Sequence, residues 1–178
     1  LLRMGHRPQR VSKYCIGIVA AHEQIRGNPW IPSLRRLGLE RIDLYQVHAP
    51  PEDGTPVEEY WQTFCELRQE GKVRAIGLSN HDVPLLEAAA KVGRIDSVQP
   101  KLNLIHRDAL NVLAWCADNG VGAIVYSPMA SGLLTGRFRA ERAQRLAADD
   151  WRLGHPDFSG DTLSRNLALA EALRPVAE

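Results

Sequence analysis

Long apolar runs are missing from this sequence. Nothing approaches the ~18 consecutive apolar residues that a membrane-crossing helix needs. The opening LLRMGHRPQR has no extended apolar core behind its basic residues and is not expected to be a secretory signal. Cysteine is scarce: Cys15, Cys65 and Cys116 are odd in number and far apart, and fit neither a disulfide framework nor a zinc spacing. His6, His22, His81, His106 and His155 show no metal-ligand spacing either, so no metal is expected. A surplus of one charge is also absent, because 22 Lys+Arg face 21 Asp+Glu for a formal net charge of +1. A polyanion binder needs a basic surplus to neutralise phosphates. Neither nucleic acid nor a membrane is therefore an expected partner, and a reduced, cytoplasmic setting is the expectation.

What is present is an ordinary globular composition, 44% hydrophobic and 24% charged. At 178 residues, the chain reads as a single domain over 1–178 or as part of a larger one. Short apolar runs alternate with helical patterns. RIDLYQVH is a β-rich run, and the turn-forming APPEDGTP follows it. In VEEYWQTFCELRQEG, Val57, Tyr60, Trp61, Phe64 and Leu67 recur at the spacing of one helical face. Thr55 and Glu58 have capping-box spacing, Pro56 suits a first helical position, and Gly71 suits a helix stop. VRAIGLSN, DSVQPKLNL and GAIVYSP repeat the strand pattern, with helices predicted from about Val83 to Val92 and about Asp108 to Asn119 between them.

Counting RVSKYCIGI, about five strands begin near Val11, Ile42, Val73, Ser97 and Gly122, spaced as in βα units around a parallel sheet. A closed (β/α)8 barrel needs eight strands and typically ~250 residues. The fold class is thus α/β, about three strands short of a closed barrel. Pro29 and Pro32 delay the helix before the second strand to Pro32 or Ser33. FRAERAQRLAADDWRLGHPDFSGD reads as a charged surface excursion, with Asp149 and Asp150, like Glu58 and Glu59, as solvated charges. His106 and Arg107 are expected to start a helix. The final TLSRNLALAEALRPVAE places Leu163, Leu167, Ala170 and Leu173 on one helical face.

Ligands of parallel α/β folds bind at the carboxyl ends of the strands. Polar residues there are His48, Ser79 with Asn80, Gln99 with Asn103, and Tyr126 with Ser127. Any one could merely form a turn; consecutive strands ending in hydrogen-bonding groups point to a shared pocket.

SLRRLGLERIDLYQVHAPPEDGTPVEE, GKVRAIGLSN, the QPKLN run and VYSPMASGLLTGRF occur in order and resemble the consecutive motifs of the aldo/keto reductases. The resemblance covers about Ser33 to Phe138 and extends more weakly to SRNLALAEALRPVA. It is closest to the branch carrying SP-x-A-x-GLLTG, which includes the potassium-channel β-subunits. It implies a (β/α)8 barrel that reduces an aldehyde or ketone with NADPH. Hydride would pass to the carbonyl carbon while a Tyr protonates the forming alkoxide.

By resemblance, His48 matches the catalytic His that orients the substrate oxygen, and Lys13 in VSKYC stands where the catalytic Lys is expected, with a solvated lysine as the alternative. Ser79 and Asn80 match the pair that binds the nicotinamide carboxamide, with Gln99 completing that contact. Tyr126 matches the aromatic on which the nicotinamide stacks. Ser127, Pro128, Met129, Ala130, Ser131 and Gly132 match the loop around the pyrophosphate, and Arg137 takes the place of a basic residue after LLTG. No G-x-G-x-x-G occurs, so this is not a Rossmann site.

The family's Asp and Tyr proton donor are expected some tens of residues before Lys13, yet the residues preceding Lys13 include neither type. The segment gripping the 2′-phosphate is expected beyond Glu178. The sequence thus reads as the central part of a reductase cut at both ends, as a non-catalytic nucleotide-binding or regulatory subunit, or as an inactive fragment lacking the Tyr proton donor. Open sheet edges would then favour self-association.

Overall fold

In the computed structural model, residues 40–177 are described. The strand expected near Val11, the helix start expected at Pro32 or Ser33, and Lys13 lie outside the described residues. Those described form two compact units, one comprising residues 40–100 and 108–126, the other 101–107 and 127–177.

The first unit is built on one parallel sheet whose spatial order follows the chain. Its strands are β1 (Ile42–Val47), β2 (Val73–Ser79), β3 (Ser97–Gln99) and β4 (Gly122–Ala123). Each begins where the apolar runs predicted. Helices α1 (Val57–Gln69), α2 (Val83–Val92) and α3 (Leu110–Asp118) carry the chain back between them, as parallel pairing requires. Pairing outlasts the short β4: Ile124 N–H donates to the Val98 carbonyl at 2.9 Å and Tyr126 N–H to the Pro100 carbonyl at 3.0 Å.

Period-two alternation divides the sheet. Tyr45, Val47, Ile76, Leu78 and Val98 face a core shared with Tyr60, Trp61 and Phe64 of α1, Leu86 and Ala89 of α2, and Val112 and Cys116 of α3. Phe64 stacks on Tyr45 and on Trp61, with ring centroids 5.0 Å and 5.9 Å apart. Trp61 is fully buried, and its indole N–H donates to the Gly93 carbonyl at 3.1 Å. The burial that α1's sequence pattern predicted is thus realised residue by residue.

Its start is not. The Thr55–Glu58 capping box does not form: Pro56 is the capping position, and the Thr55 hydroxyl donates to Asp53 Oδ1 at 2.7 Å. The Asp-x-Thr turn outcompetes the helix for that hydroxyl, as short polar side chains do near chain reversals. Gly71 closes α1 with a left-handed φ of 72°, the conformation that lets Lys72 N–H reach the Leu67 carbonyl at 3.0 Å. In α2 the cap is real, because Asp82 Oδ1 accepts from Leu85 N–H at 3.1 Å. Asp82→Ala is therefore expected to cost ~1 kcal/mol of stability and Thr55→Ala less than ~0.5 kcal/mol, measured by urea unfolding.

The second unit is made of short pieces: a 3₁₀ segment (Ala130–Thr135), α4 (Ala140–Ala143), further 3₁₀ turns (Trp151–Gly154 and Pro156–Phe158), α5 (Gly160–Ala172) and α6 (Arg174–Ala177). The stretch expected as a surface excursion has a core of its own. Phe138 and Phe158 are buried with Ala130, Leu133 and Leu163, their rings edge to face at 5.4 Å. The surrounding arginines hid this in the sequence; Arg142 and Arg152 lie over the Phe138 ring. Asp150 is no simple solvated charge. It caps a turn through Arg152 N–H and pairs with the Arg152 guanidinium at 2.6 Å, and these hydrogen bonds hold its carboxyl down to about 2. His106 starts no helix, since α3 begins at Leu110; its Nε2 meets Asp157 Oδ2 at 2.6 Å. On α5 the predicted face is joined by Asn166, buried and donating to the Asp157 carbonyl.

Candidate active site

The face of the sheet opposite the helices is polar toward its carboxyl end. Register pairs Gln46 with Gly77 and Gly77 with Ser97, and, two residues on, Ser79 with Gln99. Gln46 Nε2 donates to Ser97 Oγ at 3.1 Å, and Gln99 Nε2 to Gln46 Oε1 at 3.4 Å. Gly77 is what lets this ladder close: a Cβ there would lie 2.2 Å from Ser97 Oγ and 2.5 Å from the Ser97 carbonyl oxygen.

One layer further lie the residues singled out in the sequence. Ser79 is buried, and its hydroxyl donates to the Gln99 carbonyl at 2.8 Å. Asn80 takes a left-handed φ of 60°, which Asn tolerates better than most residues. Its Nδ2 donates to the His48 carbonyl at 2.8 Å and to Ser79 Oγ at 3.2 Å. Its Oδ1 accepts from the Tyr126 hydroxyl at 2.7 Å. One side-chain amide therefore ties together the ends of β1 and β2 and the chain beyond β4. His48 is exposed, and among the described residues its imidazole has no hydrogen-bond partner. The Tyr126 ring is 36% exposed, and partial burial raises its phenol above the ordinary value.

The loop that follows Tyr126 belongs to the second unit. Ser127, Ala130, Ser131, Gly132 and Gly136 all have positive φ, so the backbone repeatedly reverses hand. These residues close tight turns: Ala130 N–H donates to the Ser127 carbonyl and Gly132 N–H to the Met129 carbonyl, both at 3.0 Å. Asn103 opens the loop: its Nδ2 donates to the Ser127 carbonyl at 3.0 Å, while its Oδ1 accepts from Ile105 and His106 N–H. Arg152 Nη1 reaches the Ser131 carbonyl at 3.4 Å. Ala130 is buried, and Pro128, Met129, Ser131 and Arg137 are exposed.

The first unit thus brings His48, Ser79, Asn80, Gln99 and Tyr126 together, and the second places residues 127–132 and Arg137 in one loop region; Lys13 lies outside the described residues. Sequence reasoning missed Gln46, Ser97 and the requirement for Gly77. The signal existed, since Gln46 and Ser97 stand two residues before His48 and Gln99 and so share their face. Among the described residues no group of His, Cys, Asp and Glu is placed to hold a metal ion, and no helix is long and apolar enough to cross a membrane.

A parallel sheet in chain order, flanked by crossover helices, with hydrogen-bonding groups gathered at its carboxyl end, defines an α/β protein of barrel type. The aldo/keto reductase family model matches residues 31–178, and the chain belongs to that family. It is 34% identical over 147 residues to aldo-keto reductase YhdN of Bacillus subtilis strain 168, covering 82% of this chain and 44% of that protein. It is 41% identical over 107 residues to the NADH-specific methylglyoxal reductase of Escherichia coli K12, covering 58% of this chain and 33% of that one. Among solved structures, glycerol dehydrogenase AKR11B4 from Gluconobacter oxydans superposes with a TM-score of 0.77 at 32% identity, covering 87% of this chain and 46% of that one. A Bombyx mori aldo-keto reductase in complex with NADP gives 0.51 at 30% identity, over 60% and 37% of the two chains. The described sheet is accordingly an incomplete (β/α)8 barrel, and the chain spans less than half the length of these relatives.

Proposed function

We propose that this chain carries the nicotinamide-binding wall and the substrate-orienting His of an NADPH-dependent reductase of aldehydes or ketones. The observation that carries the reading is the hydrogen-bonded cluster of Ser79, Asn80, Gln99 and Tyr126 at the strand ends, with His48 beside it. The donor set fits a nicotinamide. Asn80 Oδ1 accepts one hydrogen bond from Tyr126 and retains a lone pair for a carboxamide N–H. Next to it, the Tyr126 ring offers a part-exposed face for stacking.

When bound, the nicotinamide supplies the hydride. Of this chain's residues, Ser79, Asn80 and Gln99 would hold the carboxamide, Tyr126 would fix the ring face, and His48 would donate to the carbonyl oxygen and set its angle; the proton taken up by the alkoxide would come from the family's Tyr, which has no match among the residues before Lys13. In the second unit, the loop from Ser127 to Gly132 would meet the pyrophosphate through the N–H groups that its own turns leave unused, and Arg137 would add positive charge for the phosphates. The relative described as NADH-specific leaves the choice between NADPH and NADH to experiment. A second reading uses the same contacts for a subunit that binds nucleotide without turnover.

The test is aldehyde- and ketone-dependent oxidation of NADPH, followed by absorbance alongside direct binding. Turnover supports the reductase, binding without turnover supports the second reading, and neither overturns both. Within this scheme Gln99→Ala is expected to weaken NADPH binding about 5–10-fold, the scale of one lost hydrogen bond. An unchanged dissociation constant would remove Gln99 from the carboxamide contact.

A further inference from the structure

Behind the cluster lies a buried pair that the proposed chemistry does not use. His81, 3% exposed, places Nδ1 2.8 Å from the Ser79 carbonyl oxygen and Nε2 2.7 Å from the hydroxyl of Tyr60, itself 1% exposed. A carbonyl only accepts, so Nδ1 carries the proton; Nε2 is then the acceptor, and the Tyr60 hydroxyl donates to it. Burial lowers the imidazole's pKa, which keeps this neutral form in place against the opposing pull of the Ser79 carbonyl and Asp82.

The bond to Ser79 matters because of which peptide group it holds. The Ser79 carbonyl and the Asn80 N–H belong to one planar unit. The N–H end of that plane donates to the Gln99 carbonyl at 3.2 Å, and the carbonyl end accepts from His81. Pinned at both ends, the plane holds the frame from which Asn80, with its left-handed φ of 60°, directs its side chain. That side chain then reaches the His48 carbonyl and the Tyr126 hydroxyl. Tyr60 sits on α1 beside the fully buried Trp61, so the orientation of His81 is set by the rigid core rather than by solvent.

We infer that His81, oriented by Tyr60, is a positioning residue that sets the Ser79–Asn80 peptide and thereby aims the Asn80 amide at the nicotinamide. The inference rests on the proposed function for its last link only. His81→Leu removes the bond to Ser79, whereas His81→Asn retains a donor at nearly the Nδ1 position and serves as the conservative rescue. Hydrogen exchange at the Asn80 amide needs no cofactor. It is expected to accelerate about tenfold in His81→Leu and to return toward the parent rate in His81→Asn. In the same variants NADPH affinity should fall about tenfold in His81→Leu and recover in His81→Asn, while affinity for 2′-phospho-ADP-ribose, which lacks the nicotinamide, stays unchanged. Tyr60→Phe, which keeps the ring, should give an intermediate loss.

A folded His81→Leu protein with parental exchange at Asn80 would overturn the inference. So would equal losses for NADPH and 2′-phospho-ADP-ribose. If the parent protein binds no NADPH, the proposed function fails, and the exchange rates still decide the positioning role.

Discussion

If the proposed function holds, His48→Ala in the complete reductase is expected to lower kcat about 10²–10³-fold while leaving the NADPH dissociation constant within about twofold of the parent value. The magnitude is that of removing one preorganised donor from an oxygen on which charge develops in the transition state. The asymmetry follows from the geometry. Only the backbone carbonyl of His48 is engaged by the cluster, accepting from Asn80, and that carbonyl survives the substitution. The imidazole is exposed and, among the described residues, unpartnered, so truncating it removes no packing and leaves no buried polar group unsatisfied. Steady-state kinetics with a saturating aldehyde, set beside a fluorescence titration of NADPH, separate the two quantities. Parallel losses in turnover and cofactor affinity would show that His48 serves the cofactor wall rather than the substrate oxygen.

The largest effect on stability is expected at a residue with no side chain. Gly77→Ala would place a Cβ 2.2 Å from Ser97 Oγ, 2.5 Å from the Ser97 carbonyl oxygen and 2.9 Å from Gln46 Nε2. Carbon does not approach oxygen that closely, so β2 and β3 must separate or the ladder beneath the site must break. Overpacking of this kind costs about 3 kcal/mol or more, a large fraction of a domain's total stability. Combining it with Ser97→Ala removes the hydroxyl clash and leaves the carbonyl in place. Only part of the loss should therefore be recovered. Urea midpoints of the two single variants and the double variant measure this, and full recovery would mean that the backbone of β3 yields more easily than its register suggests.

Much of the first unit was legible because its signals are local. Val57, Tyr60, Trp61, Phe64 and Leu67 repeat at helical spacing and are all buried, and the starts of β1 to β4 coincide with the apolar runs. The strand ends, read with the family motifs, point to Ser79, Asn80, Gln99, Tyr126 and His48. What escaped depends on partners distant in sequence. Thr55 is the exception: Asp53, only two residues away, takes its hydroxyl, a local competition that capping-box spacing alone does not weigh. Phe138 and Phe158, separated by many charged residues, gave no periodic signal for the contact they make. Gln46 looked like one more strand residue until register set it against Gly77 and Ser97. His81 carried no ligand spacing, and its bond to Tyr60 spans 21 positions of sequence.

Titration of the purified chain with NADPH, following quenching of its Trp and Tyr fluorescence, tests most directly whether Ser79, Asn80, Gln99 and Tyr126 hold a nicotinamide. Saturable quenching that weakens in Gln99→Ala is the expected result. A folded sample that shows no saturable quenching would contradict it.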